Sequence, residues 1–379
     1  MAAPHALITA WARSAVAPVG GAFKQLQAHE IGAPVLQALL ARLNLPPEAI
    51  DAVVLGNALG AGGNPARLLA LAAGLPERCA ALSIDTQCCA GLDAVSVAVG
   101  LLASGQASVV IAGGAEAWSR APLRMHRPQT PGEPPVAYER PRFTPEPLED
   151  PDMLEAAGVY AQHQAITRVA QDTYALQSHG RALDPLARMA AEIVPVAGLA
   201  RDAYPRQLDL QRAARLPAVV LLSPDSLHAI STLGISPKAD GAALVVLATA
   251  AACERWKLQP RAAWLGNLSV GADPSMPLRA AAVAAQGLLE RTGVQADQLD
   301  AVELHDAFAV QGLSFIHELG LEASRVNRQG GGLARGHPIG ASGAIALVRL
   351  LSELSGRQRG LVSVAGAGGL GAAALLEAL

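Results

Sequence analysis

A cysteine pair, two histidines and a run of glycines are the residues of this sequence whose types and spacing bear on chemistry. SIDTQCCAGL at 83–92 reads as a buried strand, then Cys88 and Cys89, then a helix beginning near Gly91. A thiol at a helix start meets the positive end of the dipole and unpaired amide donors. These are expected to lower its pKa and favour the thiolate, a nucleophile suited to acyl transfer. The segment equally fits two thiols packed as small buried hydrophobes. GGGLARGHPIGASGA at 330–344 places His337 in a glycine-dense turn leading into an apolar helix. A neutral imidazole there can accept a thiol proton or polarise a thioester carbonyl, and a structural histidine is the other reading. His305, in VELHDAFA after a strand-like run, carries the same ambiguity, with packing or capping as its alternative.

GAGGLG at 366–371 matches the G-x-G-x-x-G spelling, after a predicted strand and before a predicted helix. The chain leaves no room beyond it for the next strand and the acidic ribose-binding residue, so a dinucleotide site is rejected. The same glycines can instead present backbone amides to an oxyanion beside the cysteine.

Elements able to position these residues are legible from hydrophobic pattern. AVVLG (52–56), SVVIAG (108–113), ALVVLA (243–248) and LVSVA (361–365) are short apolar runs rich in Val and Ile, and predict buried strands. Ile31, Val35, Leu36, Leu39 and Leu43 recur at helical spacing, and a second helix is predicted over 92–102. Such alternation predicts α/β layers. LLASGQASVVIAGGAEA (101–117) and LLSELSGRQRGLVSVAGAGGLGA (350–372) share the order helix end, polar turn, buried strand, glycine-rich exit, which suggests an internal duplication. Between the halves, residues 119–233 begin rich in Pro, Arg and Glu and read as an inserted loop region, followed by helices from Leu154 to about Ala191.

Composition bounds the rest. With 379 residues and 51% hydrophobic content, there is material for two or three domains with sizeable cores. Apolar runs break well before a membrane-spanning length, so no membrane partner is expected. The N-terminus lacks the pattern of a secretory signal, so a cytoplasmic setting is expected. A net charge of -3 with mixed signs excludes a nucleic-acid footprint and leaves small molecules or further copies of the chain as partners. Cys79, Cys88, Cys89 and Cys253 fit no metal-ligand spacing; they are expected to be thiols, with Cys79 and Cys253 structural.

In order along nearly the whole chain, these segments resemble the thiolase family. The resemblance is carried by ITAWARSAVAPVGGAF, VVLGNALGAGGNPARLLALAAGLP, SIDTQCCAGLDAV, AQDTYALQSHGRA, ISPKADGAALVVL, VELHDAFA, VNRQGGGLARGHPIGASGA and GAGGLGAAALLE. It implies an α/β thiolase fold: two similar βαβαβ-type halves in five α/β layers with an inserted loop domain, assembled as a homodimer or homotetramer. The corresponding division is 1–118, carrying the nucleophile; 119–233, the loop domain on the coenzyme A side; and 234–379, which completes the first half to about 250 and supplies the second. The resemblance also implies acyl-CoA and coenzyme A as substrates, no permanently bound cofactor and no metal.

Carried over residue by residue, the resemblance makes Cys88 the nucleophile and His337 the group that activates it and helps form an oxyanion hole. It implies that His305, where most members have asparagine, serves the first oxyanion hole. The backbone amides of Ala367 and Gly368 would line the second hole, and Ser236 would contact the pantetheine part of coenzyme A. Three departures stand out. Cys89 occupies a usual glycine, GVYAQHQAITRVA differs from the segment bordering the acyl pocket, and Ala365 stands where the family has its second catalytic cysteine. That cysteine is the base of the second half-reaction, and alanine cannot titrate.

The expected function is acyl transfer through an S-acyl-Cys88 intermediate, by thiolysis of a 3-ketoacyl-CoA or Claisen condensation, with the base supplied by a histidine or Cys89. An acyltransferase or condensing enzyme using another acceptor, and a non-catalytic acyl-CoA-binding subunit of a complex, are the alternatives.

Overall fold

The computed structural model describes residues 6–60, 62–183, 191–222 and 227–379. The chain opens with β1 (Leu7–Ser14), α1 (Ala28–Leu43), β2 (Ala52–Gly56), α2 (Pro65–Ala72), β3 (Ala80–Ile84), α3 (Ala90–Ala103) and β4 (Val109–Ala117). Because a helix crosses between successive strands, β2 pairs in parallel with both β3 and β4. The chain then leaves the sheet for a short hairpin, β5 (Arg124–His126) and β6 (Val136–Tyr138), and two helices, α4 (Met153–His163) and α5 (Arg168–Leu183). It returns as β7 (Ala239–Ala248), antiparallel to both β1 and β4. The remainder supplies β8 (Ala262–Gly271), α6 (Ala280–Thr292), β9 (Ala301–His305), α7 (Ala309–Glu318), α8 (Ser342–Glu353), β10 (Arg359–Gly366) and β11 (Leu370–Ala378).

The strand order is β9-β10-β11-β8-β1-β7-β4-β2-β3. Outward from the β1–β8 junction the two sides repeat: β7, β4 and β2 on one side match β11, β10 and β9 on the other. A parallel bridge from Val302 to Val326 stands where β3 has no counterpart strand. The duplication expected from the two similar stretches is therefore present in the topology.

Three apolar clusters divide this arrangement into five layers. One packs α1 and α2 on the outer face of the first half-sheet. One packs α6 on the outer face of the second. The third fills the space between the half-sheets with α3 and α8. The helix starts in that central layer are stripped of side chains. A Cβ placed on Gly91 would lie 2.8 Å from the Gly340 carbonyl oxygen and 3.0 Å from the Ala344 Cβ; one on Gly343 would lie 2.9 Å from the Leu92 Cβ. Only glycine lets the backbones approach this closely.

The returning segment of the insert is pinned by buried charge. Arg13 on β1 bonds Glu192 at 2.7 Å and Asp202 at 2.7 Å, and Arg349 on α8 bonds the other Glu192 oxygen at 2.5 Å. Glu192 thus bridges the two halves, each oxygen facing a guanidinium, as buried carboxylates require.

Several expectations change in detail. The run predicted as strand over 108–113 continues to Ala117. The helices predicted from Leu154 to about Ala191 are two, α4 and α5, and residues 184–190 of that stretch lie outside the described residues. GAGGLG leads into a strand rather than a helix: β11, antiparallel to β10. The Ala- and Leu-rich sequence has helical propensity, but its place between β10 and β8 in the buried sheet overrides it. Rejection of a dinucleotide site stands on firmer ground, since a hairpin turn offers no helix N-terminus to a pyrophosphate.

Gly91→Ala is expected to lower unfolding stability by about 1–3 kcal/mol through overpacking of the helix starts. Urea unfolding measures this, and an unchanged midpoint would mean that the two helices separate freely.

Candidate active site

β3 ends at Ile84 and the chain enters a tight 3-10 turn, Gln87–Cys89, before α3. Gln87 has φ 55°, in the left-handed region. The Asp85 carboxylate holds it there, accepting from the Gln87 backbone N–H at 2.9 Å and its side-chain amide at 3.1 Å. This turn aims Cys88 and Cys89 in different directions. Cys88, 8% exposed, has its Sγ 3.1 Å from His337 Nε2. Cys89 is buried with its Sγ 3.6 Å from the Val364 carbonyl oxygen on β10.

His337 comes from the opposite half. Its loop is shaped by Gly336 at φ 116° and by Pro338. Its backbone N–H donates to the Pro237 carbonyl at 2.7 Å, and its own carbonyl accepts from Trp118 Nε1 at 3.0 Å. His337 Nδ1 faces His305 Nε2 and Ser342 Oγ, the latter at 3.2 Å. The rings of His305 and His337 lie 4.5 Å apart and 23° from parallel. Two facing ring nitrogens can share only one proton. With that proton on His337 Nδ1, Nε2 is left as the acceptor for the Cys88 S–H. Sequence reasoning gives both histidines; the structure brings His305 behind His337, at its far nitrogen.

Burial sets the protonation states. The Cys88 thiol is pushed up to about 12 by loss of water, against a downward pull from the Ala367 and Cys88 backbone N–H groups; Glu116 and Asp85 push further up. His337 is lowered to about 4 by burial, and His305 falls well below its ordinary range through burial and the neighbouring imidazole. The resting pair is therefore a neutral thiol beside a neutral imidazole. This corrects the expectation of a helix-stabilised thiolate. A helix start is worth roughly 0.3–1 kcal/mol to a nearby charge, and desolvation of a buried thiolate outweighs it.

The turn between β10 and β11 brings the Ala367 amide to the Cys88 sulfur. Gly368, at φ 77°, lies against the insert, where a Cβ would meet the Phe143 carbonyl oxygen at 3.2 Å. Ser236 is buried and its Oγ donates to the Gly332 carbonyl at 2.6 Å, while its N–H donates to Ala307 at 2.8 Å. It ties together the loops that carry the two histidines. Ala365 contributes only a methyl group, packed in the outer cluster of the second half-sheet. Cys89 is pushed well above its ordinary value by burial and by nearby Asp93. Cys79 and Cys253 lie in the outer cluster of the first half-sheet, on the face away from Cys88. Among the described residues no group of three or more His, Cys, Asp or Glu side chains is arranged to hold a metal, and no helix is long and apolar enough to cross a membrane.

Sequence reasoning misses Glu116, Asn57, Trp118 and Ser342. Glu116 is buried at the end of β4; its Oε1 accepts from Asn57 Nδ2 at 2.8 Å, and its Oε2 from the N–H groups of Ala58 at 2.9 Å and Gly340 at 3.0 Å. Burial pushes its carboxyl up to about 7. A lone acid in the strand VVIAGGAEA is the available signal. Trp118 and Ser342 have none that distinguishes them from packing or capping residues.

Comparison with known proteins places the chain in a family. The family model described as the thiolase N-terminal domain matches residues 6–251, and the thiolase C-terminal domain matches residues 258–378. An acetyl-CoA acetyltransferase of Thiocystis violacea is 35% identical, over 97% of each chain. Among solved structures, the Bacillus anthracis acetyl-CoA acetyltransferase superposes with a TM-score of 0.91 at 31% identity, covering 99% of both chains. The Acat5 thiolase from Ascaris suum, solved in complex with coenzyme A, gives 0.90 at 29% identity, covering 99% of this chain and 100% of its own. Matched along both domains and over almost its full length, the chain belongs to the thiolase family.

Proposed function

We propose that Cys88 carries the acyl group as a thioester and that His337, backed by His305, moves the proton in both half-reactions. The overall activity is that of a thiolase-type acyl-CoA C-acyltransferase. In the first half-reaction Cys88 Sγ attacks the thioester carbonyl as His337 Nε2 takes the thiol proton. The oxyanion is met by the backbone amides of Cys88, Ala367 and Gly368, donors that need no reorganisation during the reaction. Collapse of the tetrahedral intermediate expels coenzyme A, whose sulfur recovers the proton from His337. His305 accepts from His337 Nδ1 and so stabilises the imidazolium while it exists. The single observation that carries this reading is the 3.1 Å Cys88 Sγ–His337 Nε2 contact, made between opposite halves of the fold.

The second half-reaction transfers the acyl group to the carbanion of a second acyl-CoA in condensation; thiolysis runs it in reverse, Cys88 attacking the 3-keto carbon as the Cα–Cβ bond breaks and the departing acyl-CoA carbanion takes a proton, after which the acyl group passes to coenzyme A. It needs a base where Ala365 offers none. Cys89 is turned toward Val364 and held protonated by burial, which favours the histidine pair for this second proton. The lack of a titrating group at Ala365 also supports the reading of an acyltransferase with another acceptor, for which the acyl-enzyme half suffices. Acyl-CoA and coenzyme A are the proposed ligands, with no permanently bound cofactor; the insert 119–233 is the proposed coenzyme A side, and Ser236 borders the pantetheine. A cytoplasmic setting is proposed with them. A homodimer or homotetramer is supported by the open edge of β3, beside which Leu68, Leu71 and Leu82 are 45%, 44% and 37% exposed. An unpaired apolar edge strand favours pairing with another copy.

After incubation with acetyl-CoA, intact-mass measurement is expected to find one acetyl group on the protein and none on Cys88→Ala. An adduct that persists in Cys88→Ala would sink the proposal. His337→Ala is expected to slow acylation by about 10²–10⁴-fold, and Ala365→Cys to raise thiolysis; a parent already as fast as Ala365→Cys would show that the histidine pair meets the need alone. Because burial raises the Cys88 thiol to about 12, the thiol form prevails below that value. The parent and Cys88→Ala should therefore have equal thiolate ultraviolet absorbance at about pH 8, and an excess in the parent would refute the neutral pair. Leu82→Glu is expected to lower the solution mass measured by light scattering.

A further inference from the structure

The nucleophile and its base belong to different halves of the chain, so something must fix the 3.1 Å between them. Cys88 is held by the turn after β3, and His337 by a loop that the first half also grips at the Pro237 carbonyl and Trp118. One carboxylate touches both sides. Glu116 Oε2 accepts the backbone N–H of Ala58, in the first half, at 2.9 Å and that of Gly340, three residues after His337, at 3.0 Å. Its Oε1 accepts from Asn57 Nδ2 at 2.8 Å, and the same Asn57 amide donates to the Ala115 carbonyl at 2.8 Å, so the carboxylate cannot rotate without breaking the set.

The loop has no slack at this contact. A Cβ on Gly340 would lie 2.5 Å from the Asn57 Cα and 2.9 Å from Glu116 Oε2. Just past the end of β4, Trp118 donates to the His337 carbonyl at 3.0 Å. Amide N–H groups of the two loops, rather than a cation, hold the carboxylate in place.

We propose that Glu116 is a positioning residue for this reaction: its carboxylate locks the His337 loop of the second half onto the first and thereby sets the distance from His337 Nε2 to Cys88. It touches neither substrate nor reacting atoms. The inference rests on His337 being the base, as proposed above.

The test measures the rate constant for Cys88 acylation at saturating acetyl-CoA, by rapid quench and intact mass, together with the half-saturating concentration. Misplacing a catalytic group by about 1 Å costs on the order of a hundredfold. Glu116→Ala is therefore expected to acylate about 10- to 100-fold more slowly, with half-saturation within about twofold of the parent. Glu116→Gln retains an oxygen for the Gly340 N–H and is expected to recover to within about fivefold of the parent. Gly340→Ala, which keeps the carboxylate but forces the loop away, should reproduce the slow acylation of Glu116→Ala.

Acylation at the parent rate in Glu116→Ala would overturn the inference, as would a parallel loss of rate and affinity, or a Gln variant as slow as the Ala variant. Should Glu116→Ala fail to fold, Gly340→Ala decides: parent-like acylation there overturns the proposal. If His337→Ala itself acylates at the parent rate, the reading of His337 as base fails. If His337→Ala is slow and Glu116→Ala is not, only the role of Glu116 fails.

Discussion

The structure turns on one steric constraint: the starts of α3 and α8 meet backbone to backbone. Gly91 lies under the Gly340 carbonyl, and Gly343 lies against Leu92. Neither helix carries Cys88 or His337, the proposed nucleophile and base, yet each begins a few residues after one of them. Cys88 precedes α3 and His337 precedes α8, so pressing the helix starts together brings the two side chains into contact. Any side chain at the crossing would spread the helices by the width of a methyl group, and the thiol–imidazole contact would be lost with it. The alanine-rich central layer serves the same end, since small side chains let the half-sheets close over both helices.

Closure of the layers also decides the electrostatics. A cysteine at an exposed helix start would be pulled toward the thiolate; here burial holds thiol and imidazole neutral, and charge is created only as the reaction proceeds. The arrangement suits a site that must bind a neutral thioester and then develop an oxyanion and an imidazolium together. In the proposed reaction, preformed donors, the Ala367 amide among them, act on charge only when it appears. His305 Nε2 faces His337 Nδ1 from behind, and in the proposed reaction a proton shared there would leave Nε2 free toward Cys88.

Much of this is legible in the sequence because it is local. Strand runs, the Cys pair before a helix and the GHP turn are written in consecutive residues, and the two similar stretches reveal the duplicated topology. What escapes is either non-local or a balance of opposed effects. Glu116 looks like one acid in an apolar strand, and its partners at Asn57, Ala58 and Gly340 come from two distant loops. The expectation of a lowered thiol pKa rests on the helix dipole, a local effect, whereas the burial that defeats it comes from the whole central layer. β11 reads as a helix for the same reason: composition favours helix, and only its neighbours in the sheet make it a strand.

The return of β7 to the sheet has a consequence for how the chain folds. This strand separates β1 from β4, and Thr9 on β1 bonds the Val246 carbonyl 237 positions later. During synthesis the first half therefore stays open down its middle until the entire insert has been made. Loop closure over such a span is slow, and it is the part of folding that rewards the chain last. Until then β1 and β4 present unpaired edges, so the growing chain passes through a long interval in which association with its neighbours competes with completion of its own sheet.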